Sequence, residues 1–125
     1  MNEKKVKFTV VLGVAFGLFI VWAVASSYLY SLRKENFKIR VNNTLSAYGS
    51  QIDHVYVEGL YVGVYVDADR WYRTEKSAQD SWQKEVCTLI RMDAITSEVI
   101  KHGSITVAFF TERGGDDVGL YSIKE

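Results

Sequence analysis

The chain contains no proline and only one cysteine in 125 residues. The absence of proline excludes proline-rich linkers and proline-kinked helices, so breaks between elements must come from glycine or polar turns. The lone thiol, Cys87, has no internal disulfide partner, and a zinc site built on several cysteines is excluded. It follows Val86 in a helical pattern and reads as a small buried hydrophobe. Histidine is almost as scarce. His54 and His102 stand far apart, and neither lies beside a serine or cysteine in a nucleophile motif. No catalytic set and no cofactor motif emerges, so the chain is expected not to be an enzyme.

Positive charge is short where it would matter for nucleic acid. Lys plus Arg and Asp plus Glu balance at 15 each over the whole chain. From Val41 to Glu125, however, eight basic residues face thirteen acidic ones, a net of −5. Phosphate-backbone affinity comes from Lys and Arg, so nucleic acid is set aside as a partner.

What is present first is a long uncharged run. Phe8 to Leu32 gives 25 residues without a charge, or about 37 Å as a helix, enough to span a bilayer with some tilt. Within it, Ala23-Val24-Ala25 before Ser26 has the small-x-small form that signal peptidase cuts. Cleavage there would release the remainder as a secreted protein. The run is longer than the roughly 7–15 apolar residues of a signal peptide. After Gly17 no glycine unwinds it before the candidate cut. Trp22, Tyr28 and Tyr30 stand where an aromatic belt would. These features favour an uncut, single-pass anchor in the cell membrane, touching lipid through residues 8–32. Lys4, Lys5 and Lys7 precede the run, and a basic N-terminus ahead of the apolar segment places the C-terminal domain outside the cytoplasm. Gly13 and Gly17, four apart, offer a face on which two such helices can approach closely, as in a homodimer.

Four regions follow: a basic tail over residues 1–7, the anchor over 8–32, a juxtamembrane helix over 33–52 and an α+β domain over 53–125. Phe37, Val41, Leu45, Tyr48 and Ile52 recur at helical spacing, and Arg33, Lys34, Lys38 and Arg40 near the start of that helix suit lipid headgroups. HVYVEGLYVGVYVD, starting at His54, alternates with period two around Glu58-Gly59 and predicts a hairpin. Ala78, Trp82, Val86, Ile90 and Ala94 predict a helix from about Glu75 to Ser97. The stretch from Ser104 to Ile123 predicts a second hairpin, turning at Gly114-Gly115. The order is helix, hairpin, helix, hairpin, with helices packed on a sheet of four short strands.

The long helix is expected over the face bearing Leu60, Val62, Val64, Ile105, Val107, Phe109 and Leu120. The other face would carry Tyr56, Tyr61, Tyr65, Ala108, Phe110 and Tyr121, and it too is apolar. A face left in water normally alternates to polar residues, so a cover is expected. Either the juxtamembrane helix folds onto it, or that helix stays at the membrane and another chain covers it; the basic residues favour the second. Trp71 and Tyr72, flanked by arginines, have the residue types of interface hot spots and join the candidate partner-binding set. If the two predicted hairpins meet through a parallel crossover, Asp67 and Asp69 would lie near Asp116 and Asp117, a candidate weak site for a hard divalent cation. The sequence therefore favours a membrane-anchored extracytoplasmic interaction domain, a subunit or accessory of an envelope assembly whose partner is another envelope or membrane protein. The alternative is a small ligand- or metal-binding module using the acidic edge.

Overall fold

The structure is a computed structural model; it describes residues 3–49, 51–111 and 117–125. The chain divides into two compact units, Met1–Leu32 and Arg33–Glu125. Helix α1, Glu3–Ser46, provides the first unit and the opening element of the second.

In the first unit the helix is apolar all round, with Phe8, Phe16, Leu18 and Val21 each about two-thirds exposed. Such a helix belongs in a protein core or a membrane. It is long and apolar enough to cross a membrane, and none of the apolar stretch is buried inside the protein. A Cβ added at Gly13 or Gly17 would touch nothing within 4 Å, so no packing within the chain calls for glycine there.

The second unit is α+β. Strands β1 (Ile52–Glu58) and β2 (Tyr61–Val66) are followed by the short helix α2 (Ala68–Arg73) and by α3 (Lys76–Thr96). A 3₁₀ turn, Ile100–His102, leads to β3 (Ile105–Thr111) and β4 (Asp117–Ile123). The sheet is mixed, in the order β1-β2-β3-β4: two antiparallel hairpins joined by the parallel pair β2–β3. Gly59, at φ +57°, turns the first hairpin in a conformation that suits glycine.

The ends of α3 explain its limits. Thr74 and Glu75 separate it from α2, with the Thr74 N–H donating to Trp71 O. At the other end Glu98 adopts φ +62°. The Val99 N–H donates to Ala94 O and the Glu98 N–H to Ile95 O, both at 3.1 Å. This is a Schellman stop, completed by the burial of Val99 and Ala94. Glu98 occupies the left-handed position usually given to glycine, and its carboxylate pairs with Arg33 at 3.1 Å.

Both helices pack on one face of the sheet. Phe37, Val41 and Leu45 of α1 are fully buried together with Val86, Ile90 and Ala94 of α3. Against them lie Val62 and Val64 of β2 and Ile105, Val107 and Phe109 of β3. The expected choice between a helix folded onto the tyrosine face and a helix held away from the domain therefore does not arise. The α1 residues after Leu32 join the core on the side of α3.

Three further expectations are corrected. The helical region placed at 33–52 ends at Ser46, and Ile52 opens β1 instead. The region between the hairpins contains two helices, not one. On β4, Tyr121 pairs with Val107 and faces the helices, whereas Leu120 pairs with Ala108 and faces away, the reverse of the expected assignment. Two adjacent apolar residues carry no parity of their own. Their sides depend on the hairpin register, and a one-residue slip exchanges the faces. The register shift between Phe109 and Phe110 lies in this hairpin. The turn expected at Gly114-Gly115 lies outside the described residues.

Candidate functional site

Sheet alternation builds the candidate site on the face opposite the helices. His54 pairs with Tyr65 and Tyr56 with Gly63 across the first hairpin; Gly63 lies beside Ala108, and Tyr65 beside Phe110, across the parallel pair. Three rings form a column across three strands. His54 stacks on Tyr65 with centroids 4.1 Å apart and planes 13° apart, and Tyr65 stacks on Phe110 at 5.2 Å and 28°. Tyr56 and Tyr61 meet edge to face at 6.5 Å.

The centre of this face is small. A Cβ on Gly63 would meet Tyr61, Phe110 and Tyr56 at 3.6 to 3.8 Å, ordinary contact distances. The rings thus lie over Gly63, which is buried although no helix covers it, and Ala108 is buried beside it. The arrangement explains how one apolar sheet face persists without an overlying element among the described residues. Tyr61, Tyr65 and Phe110 shield the sheet centre and one another and stay half-buried. Tyr56, at 50% exposure, and Leu120, at 65%, project to solvent, as does the exposed His54.

Glu58, an acid on the same edge strand, is engaged. Tyr56 donates its hydroxyl to Glu58 Oε2 at 2.5 Å. That hydrogen bond, with the nearby carboxylate charge, pushes the Tyr56 hydroxyl above its ordinary pKa. Beside the rings, the Glu58 carboxylate is thus already occupied by Tyr56, and His54 Nδ1 lies 4.0 Å from Asp53 Oδ2.

Of the residues read from the sequence as partner-binding, Tyr56, Tyr61, Tyr65 and Phe110 share this face. Trp71 and Tyr72 lie on α2. Trp71 is half-buried and packs edge to face on Trp82 at 6.0 Å. Tyr72 is exposed, with its hydroxyl 3.5 Å from Thr111 Oγ1. Tyr121 belongs to the opposite side. It packs on Phe109 and donates its hydroxyl to Gln83 Oε1 at 2.6 Å. Burial raises its hydroxyl pKa first, with charge effects from Cys87 and Asp80 following. Sequence reading missed His54 and Leu120 as members of the open face. Period two from Tyr56 would have placed His54 there, but no comparable signal fixed Leu120.

Part of the acidic edge lies among the described residues. The β2–β3 pair is parallel, so both strands end at the same edge. There Asp67 caps α2, its Oδ1 accepting from the N–H groups of Asp69 at 3.0 Å and Arg70 at 3.3 Å. Asp117 opens β4, and Asp116 lies outside the described residues. Among the described residues, no group of three or more His, Cys, Asp or Glu side chains is placed to hold a metal ion.

Comparison with known proteins yields no matching family model, no matching curated protein and no matching solved structure.

Proposed function

We propose that this protein is a membrane-anchored interaction domain whose open sheet face binds a second protein held in the same membrane, with the domain outside the cytoplasm. The observation that supports it is the placement of both helices on one side of the sheet. The other side is left with His54, Tyr56, Tyr61, Tyr65, Phe110 and Leu120. Aromatic side chains supply much contact area for little conformational entropy, which is why they dominate interface hot spots. The apolar helix supports the second half of the reading. Confinement to a bilayer raises the effective concentration of a membrane-bound partner, so a modest patch suffices. A contact of this kind also fits the lack of a catalytic constellation in the sequence.

Two exposed apolar members, Tyr56 and Leu120, separate binding from folding. Replacing Tyr56 and Leu120 together by serine removes projecting apolar surface while leaving the half-buried rings over Gly63 in place. The full chain, purified in detergent after crosslinking in its native membrane, is expected to lose its crosslinked membrane protein at an unchanged melting temperature. Retention of the same adduct by the double variant would overturn this reading.

A further inference from the structure

A recess of about 170 Å³ opens at the carboxyl end of β2. Val66, Trp71, Ala78 and Trp82 line it, with Asp67 and Arg70 at its edge. We propose that it binds a neutral aromatic group of about one ring, bearing a hydrogen-bond acceptor. The proposal is independent of the open sheet face, and it gives the acidic edge a chemistry other than metal binding.

Size, charge and polarity each narrow the occupant. The recess lies where β2 gives way to α2, with α3 beside it. An apolar cavity of about 150 Å³ is enough for benzene. Trp71 and Trp82 stand edge to face, their planes 65° apart, so a third ring can stack on one while meeting the edge of the other. The walls are held in place: Gln79 Nε2 donates to Trp71 O at 2.7 Å, and the Asp67 N–H donates to Gln51 O at 2.9 Å. At the edge, the Asp67 carboxylate and the Arg70 guanidinium are of opposite sign, and Asp67 Oδ1 already accepts two backbone N–H groups. The opening thus favours neither cations nor anions.

The acceptor follows from Trp82. Its indole Nε1–H is enclosed and has no hydrogen-bond partner among the described residues. A buried unpaired donor is unfavourable and calls for an explanation. The same indole lines the recess, and binding requires the ring to turn so that its enclosed N–H meets an oxygen on the bound group.

The full chain in detergent micelles, labelled with ¹⁵N at its tryptophan indoles, provides the test. Phenol is the probe, and benzene is its match in size without an acceptor. The chain has three tryptophans, and Trp22 in the apolar run reports simple partitioning of the probe into the micelle. Phenol is expected to shift the Trp71 and Trp82 signals saturably, with the Trp82 N–H moving downfield, while Trp22 responds linearly. Benzene is expected to bind at least tenfold more weakly. Ala78→Trp fills the recess from an exposed helix position and is expected to abolish the saturable response. Trp71 and Trp82 signals that merely track Trp22 would overturn the proposal. Equal binding of benzene would overturn the assigned acceptor. Should Ala78→Trp lower the melting temperature, the wild-type comparison against Trp22 decides alone.

Discussion

Replacing Gly119 by alanine is expected to destabilise the domain, although the same change in an ordinary strand has the opposite sign. Glycine in a strand interior normally costs roughly 0.5–1 kcal/mol relative to alanine. At Gly119, however, a Cβ would sit 2.5 Å from Gln83 Nε2 and 2.9 Å from both Cδ and Oε1. Gln83 cannot give way cheaply. It is 3% exposed, its Nε2 donates to Val118 O at 3.2 Å, and its Oε1 accepts from Tyr121 at 2.6 Å. Displacing the amide breaks both hydrogen bonds, at about 1 kcal/mol each, and leaves buried polar atoms unpaired at a further roughly 1–3 kcal/mol. Against the small propensity gain, the net loss is about 2–4 kcal/mol. For a unit of this size that lowers the melting temperature by about 10 °C or more. Thermal unfolding followed by near-ultraviolet circular dichroism of the full chain in detergent measures it. Adding Gln83→Ala to Gly119→Ala removes the clash, so the double variant is expected to lose less than the sum of the two single changes. A neutral or stabilising Gly119→Ala would refute the reasoning.

Exchanging Tyr61 and Tyr65 together for serine strips the rings from Gly63 and breaks the stack with His54 and Phe110. It is expected to cost about 1 kcal/mol per ring beyond lost area, measured by urea unfolding, whereas Tyr56→Ser alone leaves the midpoint unmoved. Burial pushes the Cys87 thiol up to about 11 from 9.0, so at pH 8 its thiolate fraction, and with it the iodoacetamide rate, should lie about 100-fold below that of a free cysteine. The raised value also sets a sign. The folded state holds the thiol proton that the unfolded chain has lost, so this contribution to stability is full below pH 9 and disappears as the pH rises to 11. Tyr48, raised to about 12 by burial and then by its hydrogen bond to Glu85, continues the same alkaline loss. Mass spectrometry of the membrane-fractionated protein is expected to find Ala25 and Ser26 still joined; a mature N-terminus at Ser26 would contradict the anchor.

Elements with strong periodicity were legible in the sequence. The alternation from Val55 to Val66 and the four-residue spacing from Trp82 to Ala94 give β1, β2 and α3 directly. The limits of elements were less so. Tyr48 and Ile52 continue the helical spacing of Phe37, Val41 and Leu45, but α1 ends at Ser46, and Ile52 meets the core from a strand. The local pattern is satisfied either way, because both residues reach the core. Asp67 reads in the sequence as one of a cluster of acids, whereas its use as the cap of a six-residue helix depends on where β2 stops. The open face was legible for Tyr56, Tyr61, Tyr65 and Phe110 because period two runs through β1, β2 and β3. It was not legible at Leu120 and Tyr121, where neighbouring apolar residues leave the choice to register. The requirement for glycine at Gly119 is set by Gln83, 36 residues away in sequence, and no local pattern carries it.

The central claim is that the open face of the sheet, and not the helical side, meets a partner in the membrane. Photocrosslinking in intact cells tests it most directly, with a photoreactive amino acid placed singly at Tyr56, at Leu120 or at Lys84. Lys84 lies exposed on α3 and serves as the control. Positions 56 and 120 are expected to give the same discrete adduct with a membrane protein, and position 84 none. An adduct from position 84 alone, or no adduct from either position on the open face, would contradict it.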